Sequence, residues 1–239
     1  MRSLAAAATA SCLALTTEAW DPAGLAFRNG RNRAVVSARA SMSTTQAAAC
    51  LRPVTLSRFV REEAAARPVE DLEGLENVFT AIQGACKTIA FTLQRAAIVG
   101  ATGVAESGAE NASGEQQKKL DVLSNDLLKD RLAKSGAVRV VASEEDDEPI
   151  VLEEGKYCVV FDPLDGSSNI DASIPTGTIF GVYRADPGAG ATENALQPGA
   201  NLVAGGYCLY ASATVMVLSL GAGTHVFQLD RERGEEEEE

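Results

Sequence analysis

Three groups of acidic residues in this 239-residue chain have types and spacings that could do chemistry. The most specific is Phe161-Asp162-Pro163-Leu164-Asp165-Gly166-Ser167-Ser168, which follows a run that reads as a strand. Pro163 holds Asp162 out of helical geometry, and Gly166 permits a tight turn. Two carboxylates three residues apart on such a turn can converge on one point. Hard oxygen ligands of this kind suit Mg²⁺ or Mn²⁺. Gly166-Ser167-Ser168 adds consecutive backbone N–H groups and two hydroxyls, a phosphate cradle if a helix begins there. The second group, Ser143-Glu144-Glu145-Asp146-Asp147-Glu148, also follows a strand-like run, where solvated loop acids are the plain alternative. The third is Glu115 with Asp121, six residues apart. On a straight helix they would sit about 240° apart, so Glu115 is expected on a loop or broken turn.

These residues must be positioned by the elements between them. Leu56–Ala66 reads as a short helix with Ser57 near its start and Pro68 beyond its end. Leu72, Leu75, Phe79, Ile82, Cys86, Ile89 and Leu93 alternate spacings of three and four, the apolar face of a long core helix. Residues 99–114 are small, polar and glycine-rich, a loop. Ser113 with Gln116 fits a capping box. The helix it would open has Leu120, Leu123 and Leu127 on one face and stops at Ser135-Gly136. Strands are predicted at Val138–Ala142, Tyr157–Phe161 and Thr178–Tyr183. A meander is predicted from Leu202–Tyr210, Thr214–Leu220 and Thr224–Leu229. Helices first and strands later imply an α+β fold.

Composition narrows the chemistry. Lys+Arg 21 against Asp+Glu 33 gives a net charge of −12, which argues against a nucleic-acid partner and for cations as ligands. Aromatics are 5% of the chain, too few for a base-stacking platform. No apolar run reaches the length of a membrane-spanning helix, so no membrane partner is expected. His225 is the single histidine, so histidine-based catalysis or zinc binding would rest on it alone. Cys12, Cys50, Cys86, Cys158 and Cys208 form no C-x-x-C pair and read as buried free thiols. Residues 1–52 hold six Arg, no Lys and only Glu18 and Asp21 as acids, with much Ala, Ser and Thr. That pattern reads as a plastid or mitochondrial transit peptide. The apolar stretch Leu4–Leu15 also suits a secretory signal, and the pair together a plastid reached by the secretory route. Residues 53–234 are then the folded domain, and Glu235–Glu239 an acidic, solvated tail. A reporter fused behind residues 1–60 is expected to concentrate in plastids; diffuse cytosolic fluorescence would reject that address.

The motifs together resemble the fructose-1,6-bisphosphatase family of metal-dependent sugar phosphatases. The resemblance is carried by Phe161–Asp171, Gly177–Tyr183, Leu56–Val60, Lys118–Asn125, Ser143-Glu144-Glu145, Leu196–Gly199 and Gly206–Tyr210. It implies the layered α+β sandwich of that superfamily and two to three Mg²⁺ (or Mn²⁺) ions per site. By resemblance, Asp162 bridges two metals, Asp165 binds one, and Glu144 with the Leu164 carbonyl binds the other. Glu115 would reach a third. Glu145 and Asp121 would activate the attacking water, and Asp165, Gly166, Ser167 and Ser168 would hold the 1-phosphate. The family also implies a homotetramer in the chloroplast stroma, acting in carbohydrate metabolism. Sedoheptulose-1,7-bisphosphatase and a non-catalytic remnant are the alternatives.

The sequence departs from the family in several places. Lys156, Tyr157 and Arg184 match part of the family's AMP site, but the Thr-Gly-Glu-Leu-like helix start is absent around Leu72–Asn77. The cysteine-bearing insertion of redox-regulated plastid forms is absent near Asp186–Glu193. The family chain also continues past a segment like Val226–Gly234 with further sugar and metal contacts. On that ground the chain is expected to be C-terminally truncated and, alone, not to turn over substrate at a useful rate.

Overall fold

The computed structural model describes residues 54–66, 72–99, 101, 103, 118–152 and 154–230. The leader, Pro68, Glu115, the Ser113–Gln116 capping box and the acidic tail lie outside the described residues. Among the described residues, three helices precede the sheet: α1 (Leu56–Ala65), α2 (Leu75–Val99) and α3 (Lys119–Lys134). Helix α1 starts beside Ser57, as read from the sequence, and is capped by Thr55, whose side-chain oxygen accepts the Arg58 N–H at 3.3 Å. The predicted apolar face of the long helix is present, with Leu75, Phe79, Ile82, Cys86 and Ile89 each no more than 2% exposed. The helix itself starts at Leu75, because Gly74 takes a left-handed φ of 84° that breaks the continuation from Leu72.

Helix α3 begins at Lys119, and its buried face is not the leucine row read from sequence. Leu120, Asp121, Ser124, Asn125, Leu128 and Leu132 turn inward, while Leu123 is 42% exposed. The inward face is polar in its first half because it borders the acidic clusters, and apolar in its second half, where it meets the core.

The strands are β1 (Val138–Ser143), β2 (Ile150–Val151), β3 (Tyr157–Asp165), β4 (Thr176–Arg184), β5 (Leu202–Tyr210), β6 (Thr214–Ser219) and β7 (His225–Gln228). They form one mixed sheet in the order β2-β1-β3-β4-β5-β6-β7. Only β1 and β3 run parallel; β3 to β7 follow as antiparallel neighbours, which includes the predicted meander. Strand β2 was not legible in the sequence, since it has two exposed residues and no alternation. A five-residue helix, α4 (Ala191–Ala195), lies on the face opposite α1–α3.

The main core lies between the three helices and one sheet face, and includes Phe79, Leu128, Leu132, Phe161, Phe180 and Leu218. Phe79 of α2 meets Phe180 of β4 edge-on at 5.9 Å. A smaller cluster on the other face joins Val140, Cys158, Val160 and Tyr183 to Ala195 of α4. The result is the layered α+β arrangement expected. Cys86, Cys158 and Cys208 are buried free thiols, also as expected. Among the described residues no helix is long and apolar enough to cross a membrane. Leu132 is fully buried, so Leu132→Ala is expected to destabilise the domain by about 2–5 kcal/mol. Urea unfolding measures this; a loss below about 1 kcal/mol would mean the α3–sheet interface is not part of the cooperative core.

Candidate active site

The parallel pairing of β1 with β3 brings two of the acidic clusters together. Ser143 stands opposite Phe161, and the Glu144 N–H donates to the Phe161 carbonyl at 3.0 Å, extending the ladder by one residue. Glu144 and Glu145 therefore leave β1 where Asp162 leaves the regular part of β3. The carboxyl ends of parallel neighbours are where α/β sheets commonly hold ligands.

The Asp162–Asp165 motif does not follow the strand as a turn; it is the end of β3 itself. Asp162 pairs with Ile179 and Asp165 with Gly177, so three steps on β3 oppose two on β4. The extra residue is a bulge at Pro163-Leu164, where proline has no N–H to offer the ladder. Inside it, the Leu164 N–H donates to Asp162 Oδ1 at 3.0 Å, and Leu164 itself is buried. The Thr178 hydroxyl donates to the Pro163 carbonyl at 2.8 Å. Gly166 then takes a φ of 79°, open to glycine at little cost. A 3-10 turn over Ser167–Ala172 follows, so Ser167 and Ser168 begin a short helical segment as the sequence suggested.

Helix α3 ties these strand ends together. Its Asp121 is 2% exposed, and Asp121 Oδ2 accepts the Lys118 N–H at 2.8 Å and the Ser167 hydroxyl at 3.0 Å. Lys118 Nζ pairs with Asp171 at 3.1 Å. One turn further, Asn125 Nδ2 and Lys129 Nζ both bond Asp146 Oδ1, at 3.0 and 3.1 Å, which pins the 144–147 loop. Lys129 was missed by sequence reasoning, and Asn125 and Asp146 were named only within their motifs, without this role. Their only signal was an acid-rich loop and a lysine one turn after a polar pair on a helix.

Electrostatics shows how close the clusters come. Burial, then the charges of Asp165 and Glu144, push Asp162 up to about 8; the Leu164 N–H offsets this, and Glu145 adds to it. Asp121 is also raised, chiefly by burial, against the lowering effect of the Lys118 N–H and the Ser167 hydroxyl. Glu144 adds repulsion there too. Asp162, Asp165, Glu144, Glu145 and Asp121 thus share one acidic field. No three of these groups, among the described residues, already close round a common point. Like charges hold one another apart unless a cation draws them in.

The surroundings fit such a cation. The donors are hard oxygens, and two oxygens on the α3 face beside them, Asp121 Oδ1 and Asn125 Oδ1, are buried with no hydrogen-bond partner. A stability signature follows. Asp162 binds its proton more tightly folded (about 8) than unfolded (about 3.9). The metal-free fold should then lose stability as pH rises from about 4 to 8, by up to ~1.4 kcal/mol per unit. Asp162→Asn should flatten that slope in urea titrations. An unchanged slope would show that Asp162 is not the buried, repelled acid.

The predicted AMP-site residues also come together, at the opposite end of β3. Lys156 Nζ pairs with Glu73, and the Tyr157 hydroxyl donates to the Glu73 carbonyl at 3.0 Å. The Arg184 guanidinium sits 5.0 Å from the Tyr157 ring centroid. The Lys156 side chain lowers the Glu73 carboxyl below its usual range.

A helix-on-sheet domain that gathers carboxylates at the ends of its one parallel strand pair is the class the fold and site define. Comparison with known proteins is more specific. The family model "Fructose-1-6-bisphosphatase, N-terminal domain" matches residues 54–236. The chloroplastic fructose-1,6-bisphosphatase of Triticum aestivum is 49% identical over 174 residues, 66% of this chain and 42% of that protein. The cytosolic enzyme of Spinacia oleracea is 45% identical over 186 residues, 76% of this chain and 54% of that protein. The crystal structure of Leishmania major fructose-1,6-bisphosphatase in holo form superposes with a TM-score of 0.68 at 37% identity. It covers 77% of this chain and 57% of that one. The chain belongs to the fructose-1,6-bisphosphatase family, and it spans about half the length of the curated relatives it matches.

Proposed function

We propose that this domain supplies the phosphate-cleaving half of a fructose-1,6-bisphosphatase, releasing the 1-phosphate to give fructose 6-phosphate. The observation that supports it most is the acidic field at the paired ends of β1 and β3, facing the orphaned Asp121 Oδ1. In this reading Asp162, Asp165, Glu144 and the Leu164 carbonyl hold Mg²⁺ or Mn²⁺, with Glu115 reaching a third ion. Bound divalent ions would neutralise phosphate charge and acidify water.

The protein's own part is positioning and proton transfer. Glu145 takes the proton of the attacking water, with Asp121 orienting that water through Oδ1. Asp121 is fixed for this by its bonds to the Lys118 N–H and Ser167 hydroxyl. The Gly166–Ser168 turn, with Asp165, holds the 1-phosphate by backbone N–H and hydroxyl groups. Lys118 holds Asp171 and so steadies the 3-10 turn against α3. The family resemblance further supports a tetramer, a plastid location and a partial AMP site at Lys156, Tyr157 and Arg184. Relatives named chloroplastic and cytosolic both match the chain. At the AMP-like cluster, Glu73 competes for Lys156 with any nucleotide phosphate.

Phosphate release from fructose 1,6-bisphosphate tests the reading, using the chain alone and joined to the C-terminal half of a family member. Hydrolysis by the joined form supports it. No hydrolysis by a folded joined form, with Mg²⁺ or Mn²⁺ present, would overturn it. Equal turnover of sedoheptulose 1,7-bisphosphate would favour the dual-substrate alternative.

A further inference from the structure

Helix α3 carries Asp121, Asn125 and Lys129 four residues apart, on one stripe of its surface. The first is the water-orienting acid of the proposed site. The other two reach a different acid. Asp146 Oδ1 accepts from Asn125 Nδ2 at 3.0 Å and from Lys129 Nζ at 3.1 Å, and Asp146 Oδ2 accepts from the same Nζ at 3.1 Å. Both carboxylate oxygens of Asp146 are thus engaged from α3. The Lys129 side chain is 23% exposed and that of Asp146 25%, so the pair is partly shielded from water. Lys129 also faces Asp126 at 3.5 Å, but that side chain is 70% exposed, where an ion pair is worth little.

Asp146 follows Glu145 directly, in the turn that joins β1 at Ser143 to β2 at Ile150. The far side of that turn, Asp147 and Glu148, is exposed. The near side is tied to the end of β1: the Glu145 N–H donates to Ser143 Oγ at 3.2 Å, and the Asp146 N–H to the Ser143 carbonyl at 3.4 Å. Both lie at or beyond the long end of the usual range. The charge-assisted bonds of Asp146 are the ones from α3. Successive Cα atoms stand about 3.8 Å apart, so fixing Asp146 limits where Glu145 can stand. Residues 121 and 125 are about 6 Å apart along the helix axis. One stripe of α3 therefore holds Asp121 itself and, through Asp146, sets the distance to Glu145. We propose that Lys129 and Asn125 are positioning residues for Glu145, acting through Asp146. Helix α3 is the rigid piece that keeps the two water-activating carboxylates at their working separation. The inference rests on the reading that Glu145 and Asp121 act on one water.

The Lys129 ammonium also cancels the charge of Asp146, which would otherwise add to the acidic field. A purely electrostatic role and a positioning role make opposite forecasts for one pair of substitutions. Lys129→Met keeps most of the side-chain stem and loses the ammonium; Asp146→Ala loses the carboxylate. Together they leave the local charge balanced but the latch absent. If charge were all that mattered, the double variant would recover what each single one lost. If position matters, the double variant stays as poor as either. Lys129→Arg keeps the charge and can offer two parallel N–H donors to one carboxylate, so it should restore the latch.

The test has two arms. In the form joined to a C-terminal half, rates are counted per folded molecule, with the folded fraction read by circular dichroism. Lys129→Met is expected to lower kcat about tenfold and to leave KM for fructose 1,6-bisphosphate within about twofold, because a misplaced base costs rate and not binding. Lys129→Arg should recover kcat to within about threefold of wild type. Asp146→Ala should match Lys129→Met, and the double variant should be no slower than either. An unchanged kcat in Lys129→Met, additive losses, or a double variant restored to wild-type kcat would each overturn the positioning role. The second arm needs no turnover and uses the full chain alone. The Glu145 and Asp146 N–H groups should exchange at least about fivefold faster in Lys129→Met and at the wild-type rate in Lys129→Arg. Equal exchange in Lys129→Met and wild type would overturn the latch whatever the activity. A folded wild-type joined form that hydrolyses nothing would sink the functional reading instead, and faster exchange in Lys129→Met would then leave the latch standing.

Discussion

Asp162→Asn is expected to weaken Mg²⁺ or Mn²⁺ binding at least ~100-fold in calorimetric titration, more than loss of an outer-shell partner typically costs. Asp162 is the acid on which the charges of Asp165, Glu144 and Glu145 all act, so it sits at the centre of the acidic field. Asn keeps the shape and can still accept the Leu164 N–H, so the bulge should survive. What it lacks is the charge. In the wild-type chain, binding near neutral pH should release close to one proton, because Asp162 is protonated below about 8 without a cation. Heats measured in buffers of different ionisation enthalpy report that proton. Unchanged affinity in Asp162→Asn, or binding with no proton release, would show that the metal ligands lie elsewhere.

The second large effect concerns turnover. In the form joined to a C-terminal half, Glu145→Gln is expected to lower kcat by about 10²–10⁴ with little change in KM. Asp121→Asn should fall in the same range while leaving stability nearly intact. An amide oxygen can still accept the Lys118 N–H and the Ser167 hydroxyl, so the helix cap and the contact to the 3-10 turn persist. The two changes should be strongly non-additive, because both act on one water. Steady-state kinetics of the two single variants and the double variant decides this. A Glu145→Gln form with wild-type kcat would remove Glu145 as the base and leave Asp121 as the candidate.

Much of this was legible in the sequence for physical reasons. The run from Leu75 to Ile89 repeats at helical spacing, and burial of that face against the sheet follows from the period alone. The β-branched runs from Val138 onward could only bury themselves as strands. Asp162-Pro163-Leu164-Asp165-Gly166 combines a residue without an N–H and one free to take positive φ, so an irregular backbone carrying two acids was written into the residue types.

The tertiary structure decided the rest. Sequence could not say that β1 and β3 lie parallel and adjacent, yet that pairing alone sets Glu144 and Glu145 beside Asp162, eighteen and seventeen positions away along the chain. It could not say which face of α3 is buried. The leucine spacing favoured Leu123, but the sheet edge needed Asp121, Ser124 and Asn125, and long-range contacts override a local apolar pattern. Nor could it join Pro163, Thr178 and Tyr210, which come from three different strands. Periodicity and residue chemistry act over a few neighbours and are carried by the chain itself. Strand order and the meeting of distant side chains follow from how the whole core closes, and exist only once it has.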